Sequence, residues 1–283
     1  MVPARSEPGP ERPGAKRRER GTVSGGGRKR LDGRSAIVTG GGSGLGECIS
    51  HRLADEGAVV AVADIDEPAA QLVAAAIVKS GGEAEPMTVD VTQEGEVAAM
   101  VDSVVERTGS VDVLVCSAAI EVRAALADTT DDDWQRVLDV NLKGPFLCLK
   151  HALPVMARGG RGSAVLLGSV LGAIGSPGYA AYCASKGALV NLAKQAAIEH
   201  APDQVRVNVV SPSASETGLF IRVAESTSDP EGIKAMVAER TPMGRLATAA
   251  DVCDAVLYLA SDESAYVTGT VVPLDGGMAA RRT

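Results

Sequence analysis

Tyr182 and Lys186 stand four residues apart in the run Tyr182-Cys183-Ala184-Ser185-Lys186, a spacing that puts both side chains on one face of a helix. A free phenol has a pKa of about 10 and is a poor base near neutrality. A neighbouring ammonium stabilises the phenolate and is expected to lower that value. A tyrosine tuned in this way exchanges a proton with an alcohol or ketone oxygen while hydride moves to or from a nicotinamide. Ser169, thirteen residues upstream, is placed to hold the same oxygen by hydrogen bonding. Asn141, in Asn141-Leu142-Lys143-Gly144, is placed to anchor a proton-relaying water. Tyrosine–lysine pairs at this spacing arise often by chance on amphipathic helices, so their company decides the reading.

That company is a nucleotide signature. The run Thr39-Gly40-Gly41-Gly42-Ser43-Gly44-Leu45-Gly46 leaves an apolar strand, Ser35 to Thr39, and opens a helix reaching about Glu56. Glycines there allow a tight turn and let backbone N–H groups approach a pyrophosphate at the helix N-terminus. Asp64 ends the next strand, 20 residues after Gly44. An acid at this position accepts hydrogen bonds from the ribose 2′-hydroxyl and repels a 2′-phosphate. Neither Ser43 nor Ile65 is basic, so NAD is favoured over NADP. Asp90, ending a third strand, is a weaker signal by itself.

The elements that must position these residues alternate regularly. Strands are predicted at 59–64, 84–90, 111–116, 164–169, 205–211 and 270–274. Helices are predicted at 67–80, with Leu72, Ala76 and Ile77 on one face, and at 94–107, 131–156, 179–200 and 249–260. Strands alternating with helices of this length argue an α/β fold, a doubly wound parallel sheet with helices on both faces, in a single domain over 31–283. Only seven of 283 residues are aromatic, so the apolar 45% is mostly Ala, Val, Leu and Ile, as such a sheet requires.

Residues 1–30 hold nine Lys or Arg against three Glu and read as a disordered basic tail, with a start near Val23 as the alternative. Of the formal net charge of −8, the remainder then carries −14, which disfavours a nucleic-acid partner. Five scattered cysteines and three scattered histidines disfavour a disulfide framework or a metal site and point to the cytoplasm. No apolar run approaches the roughly 18 residues that span a bilayer.

From about Leu31 to Met278 the chain resembles the classical short-chain dehydrogenase/reductases. The matches are Thr39, Gly40, Gly44 and Gly46, Asp64, Asp90-Val91, and Asn141, Ser169, Tyr182 and Lys186. Arg206-Val207-Asn208-Val209, Pro242-Met243-Gly244-Arg245 and Leu274-Asp275-Gly276-Gly277 match as well. The resemblance implies a Rossmann-type oxidoreductase, usually a homotetramer built through the two long helices around Ser169. It makes Tyr182 the acid/base, Ser169 the ligand of the substrate oxygen and Asn141 the holder of the relay water. Lys186 lowers the tyrosine pKa and binds the nicotinamide ribose. Cofactor contacts are expected from Gly40, Ser43, Gly44, Leu45 and Gly46, from Asp64-Ile65, from Asp90-Val91 at the adenine, and from Ala118. Tyr182, Lys186 and Thr217 are expected at the nicotinamide end.

Three departures qualify it. Cys116-Ser117-Ala118-Ala119 replaces Asn-Asn-Ala-Gly, so both amides are absent and a Cβ at Ala119 presses on the ribose passage. Gly168 replaces the first serine of a Ser-Ser pair. Pro212-Ser213 replaces Pro-Gly, with Ser215 in place of a branched aliphatic, which strains the loop if the position needs φ > 0. The segment 213–241 reads as one or two short amphipathic helices forming a substrate lid. With Val170, Leu171, Ile174 and Tyr179 the expected wall is mostly apolar and suits an uncharged secondary alcohol or ketone, although Arg123 and Arg222 offer an anion site. The alternatives are an NADPH-using 3-oxoacyl-thioester reductase and a non-catalytic NAD-binding sensor or scaffold.

Overall fold

In the computed structural model, which describes residues 29–216 and 218–280, short runs of Val, Ile, Leu and Ala form parallel strands buried on both faces. The first half of the chain runs β1 (Ser35–Thr39), α1 (Gly44–Asp55), β2 (Val59–Asp64), α2 (Glu67–Lys79), β3 (Glu83–Thr88), α3 (Glu94–Thr108) and β4 (Val113–Cys116). The second half adds α4 (Asp131–Leu138), α5 (Gly144–Gly159), β5 (Gly162–Leu167), α6 (Ala180–His200) and β6 (Val205–Pro212). It ends with α7 (Gly218–Glu225), α8 (Pro230–Arg240), α9 (Ala249–Ala260) and β7 (Val271–Leu274). The sheet order is β3-β2-β1-β4-β5-β6-β7, with every pairing parallel. This is the Rossmann-type architecture read from the sequence.

The strand period of two feeds two cores. Ile37 of β1 and Leu114 of β4 pack on the side of α3, α5 and α6. Their neighbours Ala36, Val38, Val113 and Val115 pack on the side of α1, α2 and α9. Helix starts are fixed by side-chain caps: Asp66 accepts from the Ala69 N–H, Thr130 from Asp133, and Thr248 and Asp251 form a reciprocal capping box. Strand order reverses between β1 and β4, so the loops leaving their C-terminal ends diverge and open a crevice.

Four local expectations differ. The helix expected over 131–156 is two helices joined by a π turn, Asp139–Lys143, with Asn141 at its centre. β3 ends at Thr88, so Asp90 lies two residues past the strand rather than closing it. β5 ends at Leu167, which puts Ser169 in the following turn. On α2 the buried stripe is Ala70, Val73, Ala74 and Ile77, whereas Leu72 is 73% exposed. The tail residues 1–28, Thr217 and the Arg222 side chain lie outside the described residues. No described helix is long and apolar enough to cross a membrane.

Leu114 is fully buried in the middle of the sheet, flanked by β1 and β5. Leu114→Ala is expected to lower the unfolding free energy by about 2–5 kcal/mol in urea denaturation, through lost burial and the cavity left behind.

Candidate active site

The glycine turn after β1 is shaped by backbone contact. Gly40 has φ +66°, and a Cβ on it would stand 2.7 Å from the Ala118 Cα and N in the turn after β4. A Cβ on Gly46 would overlap the Gly40 carbonyl. The first turn of α1 therefore lies directly against the strand exit, with its N–H groups facing the crevice. Asp64 serves this turn as well: its Oδ2 accepts the Gly42 N–H at 2.9 Å and its Oδ1 the Asp66 N–H at 3.1 Å. That bracing role was not visible from spacing. Asp90 is steadied by Thr92, whose N–H and hydroxyl donate to its Oδ1 at 2.9 and 2.8 Å.

A cleft of about 880 Å³ runs from this turn across the ends of β1, β4 and β5. Its wall includes Gly40, Ser43, Gly44, Leu45 and Gly46, then Asp64, Ile65, Asp90, Val91 and Ala118, and at the far end Ser169, Tyr182 and Lys186. Every described residue expected at the cofactor thus borders one continuous space. A cradle whose glycines have no room for a Cβ, followed by an oriented acid, fits an extended dinucleotide.

Asn141 stands behind the wall, fully buried. Its Oδ1 accepts the Ile120 N–H and its Nδ2 donates to the Ile120 carbonyl, both at 2.8 Å, with a further contact to Ser185 Oγ at 3.3 Å. The carboxamide clasps the loop after β4 and the start of α6 together. The sequence expectation of a water-holding side chain meets an amide already engaged with protein partners. The π turn, which sequence periodicity does not register, aims Asn141 at Ile120.

At the catalytic end, Lys186 Nζ donates to the Leu167 carbonyl at 2.7 Å and lies 5.6 Å from the centre of the Tyr182 ring. Ser169 hydrogen-bonds to Tyr182, which favours the phenolate. Burial acts more strongly in the opposite direction and, with the charge of Glu121, pushes the Tyr182 phenol up to about 12. Burial also brings Lys186 down to about 8. The expected lowering of the phenol by its ammonium neighbour is therefore corrected for the protein alone, because desolvation penalises both charged forms. Glu121 was not anticipated, and nothing in its local sequence marks it. Nearby, Arg123 lies over the Tyr179 ring at 5.7 Å, and Ala124 N–H donates to the Gly178 carbonyl, joining two loops at the rim.

The sequence departures prove local. A Cβ at Gly168 would sit 2.7 Å from Ser211 Oγ and Val209 Cγ1, so glycine at 168 accompanies those side chains. Ser213 has no positive φ, since Gln204 is the only described non-glycine residue with one, and the anticipated strain is absent there. Ala119 has no positive φ, and it borders the cleft.

A family model described as enoyl-(acyl carrier protein) reductase matches residues 40–279. Cis-4-hydroxycyclohexanecarboxylate dehydrogenase of Sinomonas cyclohexanicum is 39% identical over 248 residues, 87% of this chain and 97% of its own. The chain belongs to the short-chain dehydrogenase/reductase family. Among solved short-chain dehydrogenase/reductase folds, NAD⁺-bound xylitol dehydrogenase superposes with TM-score 0.83 at 33% identity, covering 88% of this chain and 100% of that one. Gluconate 5-dehydrogenase of Burkholderia cenocepacia, in complex with NADP and tartrate, gives 0.84 at 32% identity, covering 90% and 98%. As a short-chain dehydrogenase/reductase the chain is an oxidoreductase that binds a nicotinamide cofactor and acts on a small molecule.

The buried lysine makes stability depend on pH. Between pH 8 and 10.5 the folded protein has released the Lys186 proton while the unfolded chain still holds it, so stability rises with pH in that window. Relative to Lys186→Met, the wild type is expected to gain about 3 kcal/mol between pH 7 and 10.5 in paired denaturation curves.

Proposed function

We propose that this protein interconverts a secondary alcohol and a ketone with NAD as the redox partner. The observation that carries the reading is the convergence of Ser169, Tyr182 and Lys186 at one end of the cleft whose other end is the glycine turn and Asp64. When bound, the dinucleotide supplies the hydride acceptor or donor. Ser169 holds the substrate oxygen, and Tyr182 takes the hydroxyl proton on oxidation or returns it on reduction. Lys186, fixed to the Leu167 carbonyl, supplies the charge beside the phenol and a donor toward the ribose. Asn141 positions the loop and helix that carry this group, and family analogy assigns it the relay water. We also place Thr217 at the nicotinamide amide.

Asp64 supports NAD, since its carboxylate at the end of β2 repels a 2′-phosphate. It weighs against NADPH-dependent reduction of an acyl thioester. The intact Ser169, Tyr182 and Lys186 cluster weighs against a non-catalytic sensor or scaffold. The segment 213–241 supplies α7 and α8 as the substrate lid, contributing Phe220, Ile233, Met236 and Val237 opposite Val170, Leu171 and Ile174. This apolar wall suits an uncharged alcohol or ketone, while the relative named for a hydroxycyclohexanecarboxylate acts on a secondary alcohol that carries an anion, for which Arg123 borders the cleft. Family analogy favours a homotetramer joined through α5 and α6, and the scattered cysteines favour a cytoplasmic location.

Screening secondary alcohols with NAD⁺ tests the reaction. Tyr182→Phe is expected to lower turnover about 100- to 10,000-fold while dinucleotide binding, followed calorimetrically, persists; undiminished turnover would remove Tyr182 from the mechanism. The kcat/KM ratio of NAD⁺ over NADP⁺ is expected to favour NAD⁺ and to fall about 10- to 100-fold in Asp64→Ala, whereas a wild-type preference for NADP⁺ overturns the cofactor assignment.

A further inference from the structure

A pair of thiols outside the cleft is placed for chemistry that hydride transfer does not use. Cys48 lies on α1 and Cys253 on α9, 205 residues apart in sequence, with the Cys253 Sγ in direct contact with the Cys48 Sγ. The helices pack side by side, and on the next turn of α1 Arg52 Nε donates to Asp254 Oδ1 at 3.0 Å, fixing the same crossing. Cys253 is buried, whereas Cys48 is only partly covered, so a small reagent meets Cys48 first. Neither residue borders the cleft.

The two thiols are also unequal chemically. The hydrogen bond from Cys253, helped by Arg52, lowers the Cys48 thiol, against burial, Glu47 and Asp254. The same bond and its own burial raise Cys253. A partly exposed sulfur that ionises first, backed by a buried protonated one, is the arrangement of an attacking and a resolving cysteine. By contrast, Cys116 and Cys148 also interact but are both buried, out of reach of solvent oxidants.

We propose that Cys48 and Cys253 form an oxidisable dithiol, a modification site at which a hydroperoxide converts the pair to a disulfide between α1 and α9. Cys48 thiolate attacks the peroxide and its O–O bond breaks; sulfur is oxidised to the sulfenic acid and the leaving oxygen departs as water or alcohol once protonated. Cys253 sulfur then attacks Cys48 sulfur, the Sγ–Sγ bond forms, and the sulfenic oxygen leaves as water with the Cys253 proton. The bond ties the helix that opens from the glycine turn to the helix following Ala247.

Peptide mapping of the full-length protein tests this, with hydrogen peroxide as the probe, N-ethylmaleimide to block remaining thiols, and digestion without reduction. The expected result is one linked species containing Cys48 and Cys253, two hydrogens lighter than its separate peptides and abolished by dithiothreitol. Cys253→Ser should instead give a dimedone adduct on Cys48 and no linked species. Recovery of both cysteines as maleimide adducts, at peroxide levels that oxidise the same chain when denatured, overturns the proposal. So does Cys48 oxidised without linkage, or joined to another cysteine, in the wild type.

Discussion

The backbone of the turn leaving β1 touches the backbone of the turn leaving β4. At Gly40 and Ala118 the two main chains approach so closely that neither side chain nor solvent fits between them on that side. This contact requires β1 and β4 to be neighbours, and because the strand order runs outward in opposite directions from that pair, right-handed crossovers put α1 and α2 on one face and α5 and α6 on the other. The crevice above the contact is the space left where those connections part. Asp64 fastens the turn from β2, so three strand ends set the shape of the cradle. The acid proposed to read the cofactor is thereby also part of the wall.

At the other end, the same logic applies to charge rather than to space. Lys186 is buried and hydrogen-bonded to a carbonyl at the end of β5, and Tyr182 is buried one helical turn away. Desolvation raises one group and lowers the other, so the isolated site holds its proton on the phenol. Ser169, hydrogen-bonded to Tyr182, favours the opposite state. The balance is set by what else occupies the cleft.

Much of this was legible in the sequence because it rests on local periodicity. The bounds of β2 and α9 follow directly from where Val/Ala-rich and helical patterns stop. The glycine turn, Asp64 and the Tyr182–Lys186 pair are short-range spacings, and the structure brings all of them to one cleft. What escaped depends on partners distant in sequence. The π turn exists where Asn141 meets Ile120 and Ser185, and helix periodicity across 131–156 carries no trace of it. The room at Gly168 depends on Ser211 and Val209, across the sheet. Leu72 has the right type for a buried stripe, but the neighbouring small residues of α2 give a closer fit against β2 and β3.

The segment carrying α7 and α8 leaves the sheet after β6 and is closed at its base just before α9. Ser215 bridges Ala247, with Glu216 N–H donating to the Ala247 carbonyl and Ala247 N–H to that of Ala214. Its two ends are therefore stitched side by side, and the residues between them form an excursion that adds nothing to the sheet's own register. Insertions, deletions or wholesale replacement within that excursion leave the entry and exit points where they are. On the proposed reading of this segment as the lid, ligand preference can diversify through one interchangeable flap while the glycine turn and the Ser169, Tyr182 and Lys186 cluster stay fixed.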